Sequence, residues 1–268
     1  MNLNIILKII KIIKKNLSLN AIINFFALTF VIVFCFYILK WAIFNSSWLV
    51  ISSNLELFAY GSFPKDQQWR PFIWIISLFV ICLLTILSPN WKWLKKNLLI
   101  GWIGTIPFGL LLLYGGIGIP PLTSRDFGGL TLTIMLTLCS SFFALPIGIG
   151  LAFARQSQLF IIKRLSSIYI DAMRAIPLIA VLFFGQLLIP LFLPFGVEID
   201  RVWRAIFAFT LFVSAYIAED IRGGLQSIPY SQIEAAKSLG LNQLQIIRFI
   251  LVPQSLRIAL PALTNQSI

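Results

Sequence analysis

Long apolar runs, separated by short polar or proline-containing stretches, dominate the chain from end to end. A helix needs about 20 mostly apolar residues to cross the hydrocarbon core of a bilayer. Runs of nearly this length or longer predict membrane-spanning helices at 21–39, 72–88, 98–118, 127–154, 175–195 and 202–221. The pattern therefore predicts an all-α fold, a polytopic membrane helix bundle of about six transmembrane helices.

The first apolar run fits two interpretations. Lys8, Lys11, Lys14 and Lys15 precede it, and a secretory signal peptide also begins with basic residues and an apolar run. This run is longer than that of a signal peptide, and no small-residue cleavage site follows it. We favour an uncleaved membrane anchor. The spacing of Lys among Ile over residues 1–15 also predicts an amphipathic helix along the membrane surface.

Composition supports a membrane protein and excludes several kinds of chemistry. The chain is 59% hydrophobic and only 11% charged, and a soluble domain could not bury so much apolar surface. It has no His, and Cys35, Cys82 and Cys139 all lie inside apolar runs. We therefore expect no metal site, no cofactor and no disulfide.

The net charge of +12 has a membrane explanation as well. In a soluble chain it would suggest nucleic acid, but Lys and Arg of a membrane protein mark the cytoplasmic loops. Most of the 21 Lys and Arg face the cytoplasm if the N-terminus lies inside. We therefore predict a multi-pass protein of the cell inner (plasma) membrane with a cytoplasmic N-terminus and no nucleic-acid partner. The outer loop 45–70 fits either a docking surface or a plain connection.

The polar stretch 228–254 differs from the rest of the chain and predicts a cytoplasmic helix pair. Ser231 and Glu234 have the spacing of a capping box, which marks a helix start. Gly240 suits the left-handed residue that ends a helix. Asn242, with a Gln three residues later, suits the start of a second helix.

The first of these two helices combines small residues with apolar ones. Ala235 and Ala236 leave one surface small, and Ile233 and Leu239 project apolar side chains. A short helix of this kind suits a groove on another protein. A linker that packs on its own bundle fits the same pattern.

The same stretch carries a family resemblance. Glu234-Ala235-Ala236, followed by Gly240 and by Val252-Pro253 at their spacing, resembles the EAA loop of ABC importer permeases. The family has Leu where Val252 stands. Four flanking segments look like the polar amino-acid branch of that family: "FGGLTLTIML", "MRAIPLI", "AYIAEDIRGGLQSIP" and "LPALTNQ". The second departs from the branch's pattern at Ala175 and Ile176.

The resemblance implies a permease that moves polar amino acids and is driven by ATP hydrolysis on a separate ABC ATP-binding subunit. Glu234, Ala235, Ala236 and Gly240 would be the contact and bend residues of a coupling helix seated in that subunit. A second permease subunit and an external solute-binding protein would complete the importer. The chain itself has no GxxxxGK[ST] phosphate-binding loop.

The resemblance also divides the chain. Residues 1–122 would be an N-terminal membrane extension with three transmembrane helices, and 123–268 an ABC permease core with its coupling loop at 228–254. In the family two more membrane helices follow that loop. The apolar pattern predicts neither of them here, so we expect an incomplete core.

Ionisable and small residues within the apolar runs are further candidates. Glu219, Arg222 and Arg174 fit a pathway or gate, although pairing or solvation at a helix end fits them equally. Gly148 and Gly150 are expected to allow close helix packing. Hydroxyl residues of the fourth run could face a pathway or bond their own helix.

Two other functions compete with transport. A membrane scaffold, or a permease fragment without transport activity, is the alternative because the core is expected to be incomplete. A membrane-embedded enzyme acting on lipid would need a nucleophile with a base, or a metal cluster. The absence of His and of a GxSxG motif argues against that enzyme.

Overall fold

A computed structural model describes residues 3–88, 92–116 and 118–266. These residues form helices and contain no extended strand. Their contacts divide the chain into two compact units, Met1–Leu55 and Glu56–Ile268. The predicted all-α helix bundle is confirmed, whereas the predicted division at residue 122 stays a prediction.

The first unit is built around one long helix. Helix α1 (Leu3–Lys40) continues through a π-helical turn (Trp41–Asn45), and the short α2 (Leu49–Ser53) follows. The apolar part of this helix, Leu19–Asn45, is long enough to span a membrane. Because α1 is unbroken from Leu3, the predicted surface helix over residues 1–15 is not a separate element.

The second unit contains the remaining helices. They are α3 (Leu55–Tyr60), α4 (Trp69–Leu87), α5 (Lys92–Tyr114), α6 (Gly129–Arg155), α7 (Phe160–Ala175), α8 (Leu178–Phe183), α9 (Arg201–Gln226), α10 (Tyr230–Ser238), α11 (Gln243–Ile246) and α12 (Val252–Gln266). Segments of α4, α5, α6, α9 and α11–α12 are each long and apolar enough to cross a membrane.

An aromatic core lies where α4, α5, α6 and α9 meet. Trp74 of α4 donates its indole N–H to the Thr105 carbonyl of α5 at 3.0 Å. Phe127, just before α6, stacks on Phe63 with ring centres 5.8 Å apart. The hydroxyl of Tyr114, at the end of α5, donates to Asp200 at 2.9 Å. These contacts join residues before and after position 122 in one core.

Helices α6 and α9 lie side by side and run in the same direction. Arg155, the last residue of α6, contacts Glu219 near the end of α9 at 3.1 Å. Arg201, the first residue of α9, donates to the Ser124 carbonyl just before α6 at 2.7 Å. Because α6 and α9 are parallel, the chain that connects the end of α6 to the start of α9 must run back along their length. Helices α7 and α8 lie in this connection.

The predicted span at 175–195 is shorter in the structure and is the second part, Leu178–Phe192, of a bent pair of helical segments. The structure ends α7 at Ala175 and begins α8 at Leu178, and the two helical segments are bent by 106°. Pro177 explains the break, because its ring removes a backbone donor and keeps Ile176 out of the helical region. Ile176 is extended, with φ −89° and ψ 135°.

A further span was not predicted at all. Helices α11 and α12 join through a π-helical turn (Ile247–Leu251), and Gln243–Asn265 is long and apolar enough to cross a membrane. The second half of the predicted helix pair is therefore much longer than a short cytoplasmic helix. It also corrects the expectation that neither of the two helices after the EAA loop is present. Polar residues such as Arg257 interrupt the apolar run and conceal the span.

A small residue allows α6 and α9 to pack closely. A Cβ atom at Gly148 would lie 2.5 Å from the Ile217 side chain and 3.0 Å from the Ser214 carbonyl oxygen of α9. The neighbouring core positions Ala144 and Ala152 are fully buried. Gly150 differs, because a Cβ atom there would meet nothing within 4 Å. The packing prediction thus holds at Gly148 and not at Gly150.

We therefore expect Gly148→Ala to destabilise the bundle and Gly150→Ala to leave it intact. The added methyl at Gly148 overpacks the α6–α9 contact, at a cost of about 1–3 kcal/mol. At Gly150 the same methyl adds only helix propensity, about 0.5–1 kcal/mol in favour of folding. Thermal unfolding of the detergent-purified variants measures both effects. Equal melting temperatures for the two variants would contradict the packing described.

Candidate functional site

The first helix of the coupling loop, α10, begins without the predicted capping box. Its N-cap is Pro229, and no side chain caps it. A capping side chain belongs to the residue just before the helix and accepts from a backbone N–H of the first turn. Ser231 is itself the second residue of the helix, so it cannot take this position. The fixed φ of Pro229, −60°, directs the chain into the helix instead. The prediction that Ser231 and Glu234 form the cap is wrong.

The glycine bend after α10 is confirmed and is a Schellman motif. Gly240 has a φ of +76°, and its N–H donates to the Lys237 carbonyl at 2.9 Å. The N–H of Leu241 donates to the Ala236 carbonyl at 3.2 Å. These two bonds satisfy carbonyls at the end of α10 and fix the direction in which the chain leaves it.

The second helix start is confirmed as a complete capping box. The side chain of Asn242 accepts from the Gln245 backbone N–H at 2.9 Å. The side chain of Gln245 accepts in return from the Asn242 backbone N–H at 2.9 Å. Another side-chain bond, from Gln254 to Gln232 at 2.7 Å, joins α12 to α10. The capping box thus fixes the start of α11, and the bond between Gln254 and Gln232 connects α10 to α12.

The predicted contact residues differ in exposure. The side chain of Leu239 is 81% exposed, and Glu234, Ala235 and Gly240 are exposed as well. Ile233 is half-buried, whereas Ala236 is only 2% exposed and packs within this chain. Sequence reasoning missed Tyr230 and Leu244, which are 63% and 77% exposed. Their large side chains, within the otherwise polar stretch 228–254, were the available signal.

A second candidate site, the charge cluster, joins the ends of three helices. It consists of Arg155 of α6, Asp171 and Arg174 of α7, and Glu219 and Arg222 of α9. Glu219 accepts from Arg155 at 3.1 Å and pairs with Arg174 at 3.6 Å. It is also paired with Arg222 one turn along its own helix. Arg155 makes a further ion pair with Asp171 at 3.0 Å.

The structure thus brings together the three predicted residues Glu219, Arg222 and Arg174, and it shows them paired. Arg155 and Asp171 were missed because they lie on other helices, far from Glu219 in sequence. Arg155 and Arg174 occupy the last turns of their helices, where the helix dipole favours a cation.

A cavity of about 540 Å³ opens between α6, α9 and α12. Thr133, Thr137 and Ser141 of α6 line it, together with apolar residues of α9 such as Phe209 and Val213. Two of these hydroxyls bond their own helix, Thr133 to the Gly129 carbonyl and Thr137 to that of Thr133. The Thr133 and Thr137 hydroxyls that line the cavity are therefore already bonded within their own helix.

Comparison with known proteins identifies this part of the chain. Residues 144–268, which contain α7 to α12 and the coupling loop, match the family model of the binding-protein-dependent transport system inner membrane component. Residues 144–268 therefore carry the domain of this permease family. This match and the six long apolar helices among the described residues indicate an integral, multi-pass membrane protein.

Permease relatives extend over most of the chain. The inner membrane amino-acid ABC transporter permease protein YhdY of Escherichia coli strain K12 is 38% identical over 82% of this chain and 60% of its own length. The glutamate/glutamine/aspartate/asparagine transport system permease protein BztC of Rhodobacter capsulatus is 32% identical over 84% of this chain and 64% of its own length. The chain therefore spans less than two thirds of either relative.

One solved structure, described as an amino acid ABC transporter with histidines, is 32% identical over 52% of this chain and 64% of that chain, with a TM-score of 0.44.

Removing the central carboxylate of the charge cluster is expected to destabilise the permease. Glu219→Gln leaves three arginines close together with one partner fewer. Breaking a buried pair costs about 3–5 kcal/mol, and the partial exposure of Glu219 reduces this to roughly 1–3 kcal/mol. Asp171→Asn is the matched control, because its exposed pair with Arg155 is worth less than about 1 kcal/mol. Thermal unfolding in detergent should rank Glu219→Gln well below Asp171→Asn, and the reverse order would contradict the central position of Glu219.

The glycine bend makes a separate prediction. A β-branched residue is strained at a positive φ, so Gly240→Val should loosen the end of α10, whereas Gly240→Asn should be tolerated. A strain of about 1–2 kcal/mol corresponds to roughly a tenfold faster amide exchange across residues 230–246. Hydrogen exchange measured by mass spectrometry reports this change, and equal exchange in both variants would contradict the bend.

Proposed function

We propose that the protein is the permease subunit of an ABC importer that moves polar amino acids across the inner (plasma) membrane. ATP hydrolysis on a separate cytoplasmic subunit drives the transport. The observation that carries the proposal is the exposed, rigidly bent α10–α11 unit at one end of a membrane bundle, within the region that matches the permease family. The two amino-acid permease relatives support the substrate class.

The exposed surface of the unit is where we place the ATP-binding subunit. Leu239 projects beside the bend, and Tyr230 at the start of α10 and Leu244 in α11 are further exposed side chains of the unit. On the same helix, Glu234 is an exposed charged residue and Ala235 an exposed small residue, and the Ile233 side chain is half-buried. A groove that receives α10 would cover these side chains, while Ala236 holds the helix to its own bundle and Gly240 keeps the bend.

Movement of α10 has two routes into the bundle. The bond between Gln232 and Gln254 transmits it to α12. The short connection after α9 transmits it to that helix, and Glu219 ties α9 to α6 and α7. Closure of two ATP-binding subunits would therefore move a group of helices as one rigid body, a common form of switching.

The rest of the importer follows from this placement. The N-terminus and the coupling loop face the cytoplasm, and an external solute-binding protein delivers the amino acid on the other side. A second permease subunit faces the cavity beside α6 and completes the pathway. Glu219, Arg222 and Arg174 act as a gate at its inner end. Residues 123–268 form the permease core and residues 1–122 a membrane extension.

A scaffold without transport activity is the alternative. A scaffold needs an exposed surface but no mechanical link from α10 to the spanning helices. The bonded path through Gln254 and the charge cluster favours transport, as do the permease relatives.

The proposal predicts that a new charge beside the bend, or a reversed charge within α10, uncouples the ATP-binding subunit. Leu239→Asp and Glu234→Lys should each reduce co-purification of that subunit and its stimulated ATP hydrolysis at least tenfold. Desolvating a charge in a groove costs several kcal/mol. Leu49→Asp is the matched control, since Leu49 is 76% exposed on α2, outside this unit.

The assay uses the full chain co-expressed with the ATP-binding subunit and the solute-binding protein of an amino-acid ABC importer. Site-specific crosslinks from position 239 should capture the ATP-binding subunit, and crosslinks from position 49 should not. Retention of the subunit by Leu239→Asp, or its capture from position 49 alone, would refute the proposal.

A further inference from the structure

A second cavity, of about 580 Å³, lies at the end of α9 opposite the charge cluster. The segment 190–199 forms most of its wall, with apolar residues such as Leu193 and Phe195, and Arg204 of α9 completes it. Glu198 also lines the cavity and brings a carboxylate to it. Its volume is within the range of small-molecule sites, about 300–1,000 Å³.

The guanidinium of Arg204 is held in place by a π-helical turn (Phe184–Leu188). One terminal nitrogen of Arg204 donates to the Gln186 carbonyl at 2.8 Å. The Gln186 side chain donates in turn to the Arg201 carbonyl at 2.7 Å. The turn can lie this close to α9 because Gly185 has no side chain, and a Cβ there would lie 2.9 Å from Ala208. The side chain is thus positioned by backbone contacts rather than left free.

Most of the hydrogen-bonding capacity of Arg204 remains unused. Its Nε atom is buried and has no hydrogen-bond partner among the described residues. The neighbouring Arg201 differs, because it donates from two nitrogens to the Ser124 carbonyl. Neither Arg204 nor Glu198 has an ion-pair partner within 4 Å in the described part of the chain. A cation and an anion therefore line one cavity without neutralising each other.

We propose that this cavity binds a small zwitterion, a free α-amino acid, at the outer mouth of the permease. Arg204 receives the carboxylate through the donors that it does not use within the chain, since guanidinium groups pair with carboxylates in a bidentate manner. Glu198 receives the ammonium group. The apolar residues around them leave room for the side chain. The choice of an amino acid rests on the proposed transport function, whereas the pair of opposite charges rests on the cavity itself.

The test measures binding to the full chain alone, in lipid nanodiscs, by saturation-transfer NMR. The probes are L-alanine, L-alaninamide, which lacks the carboxylate, and N-acetyl-L-alanine, which lacks the ammonium group. L-alanine should bind at least tenfold more tightly than either derivative. Arg204→Gln and Glu198→Gln should each weaken L-alanine binding at least tenfold. Arg125→Gln and Glu56→Gln, at exposed positions outside the cavity, are the matched controls and should not change it.

Four outcomes would overturn the proposal, and three of them concern the site as a whole. These three are the absence of L-alanine binding, equal binding of all three probes, and unchanged binding in Glu198→Gln. The Glu198 side chain makes no hydrogen bond or ion pair with the part of the chain that the structure describes, so its variant decides the matter if Arg204→Gln fails to fold. Tighter binding of N-acetyl-L-alanine would indicate a carboxylate site without an ammonium partner and would also refute the zwitterion. Because the ATP-binding subunit is absent from the assay, a failure here leaves the coupling test unaffected.

Discussion

The ion pairs of Glu219 are the constraint on which the rest of the helix bundle depends. One carboxylate contacts arginines from α6, α7 and α9, and a long segment of chain separates α9 from the other two helices. Exposed single pairs contribute little, but a partly buried network with several partners restricts the helix ends far more. The network fixes α6 and α9 as parallel neighbours, which in turn requires α7 and α8 to carry the chain back.

The close contact at Gly148 complements this network. The carboxylate joins the helix ends, and the glycine allows the helix bodies to approach along their length. Gly224 has the same role between α9 and α12, because a Cβ atom there would lie 2.5 Å from the Ser255 carbonyl oxygen. Helix α9 is therefore packed tightly against two others and can move only together with them. Such a body is well suited to transmit a displacement from one end to the other.

The two ends of α9 differ in how their charges are used. At one end the arginines are neutralised by carboxylates of the same chain. At the other, Asp200 caps the helix and bonds Tyr114, and Arg201 is bonded to carbonyls. Arg204, in contrast, keeps donors without a partner among the described residues, beside a cavity. The ion pairs at one end of α9 thus hold three helices together. At the other end, Arg204 and Glu198 form the opposite-charge pair that we propose binds a ligand.

Local features of the site were predictable from sequence. The bend at Gly240 and the cap at Asn242 follow from backbone conformation and from a three-residue spacing. The capping box at Ser231 failed because the same spacing occurs inside the first turn, once Pro229 has taken the N-cap position. The burial of Ala236 was not predictable either, since the helix pattern does not say which of two adjacent small residues faces the bundle.

The sequence by itself determined that this is a helical membrane protein with a glycine bend and a helix start in the stretch 228–254, because apolar runs and turn residues act over a few neighbouring positions. Three features were decided by the tertiary structure alone. They are the bend between α7 and α8, the membrane-spanning segment formed by α11 and α12, and the ion pair between Arg155 and Glu219. These features depend on contacts between residues far apart in the chain, and on polar groups that become acceptable in a helix only when a neighbouring helix packs against them.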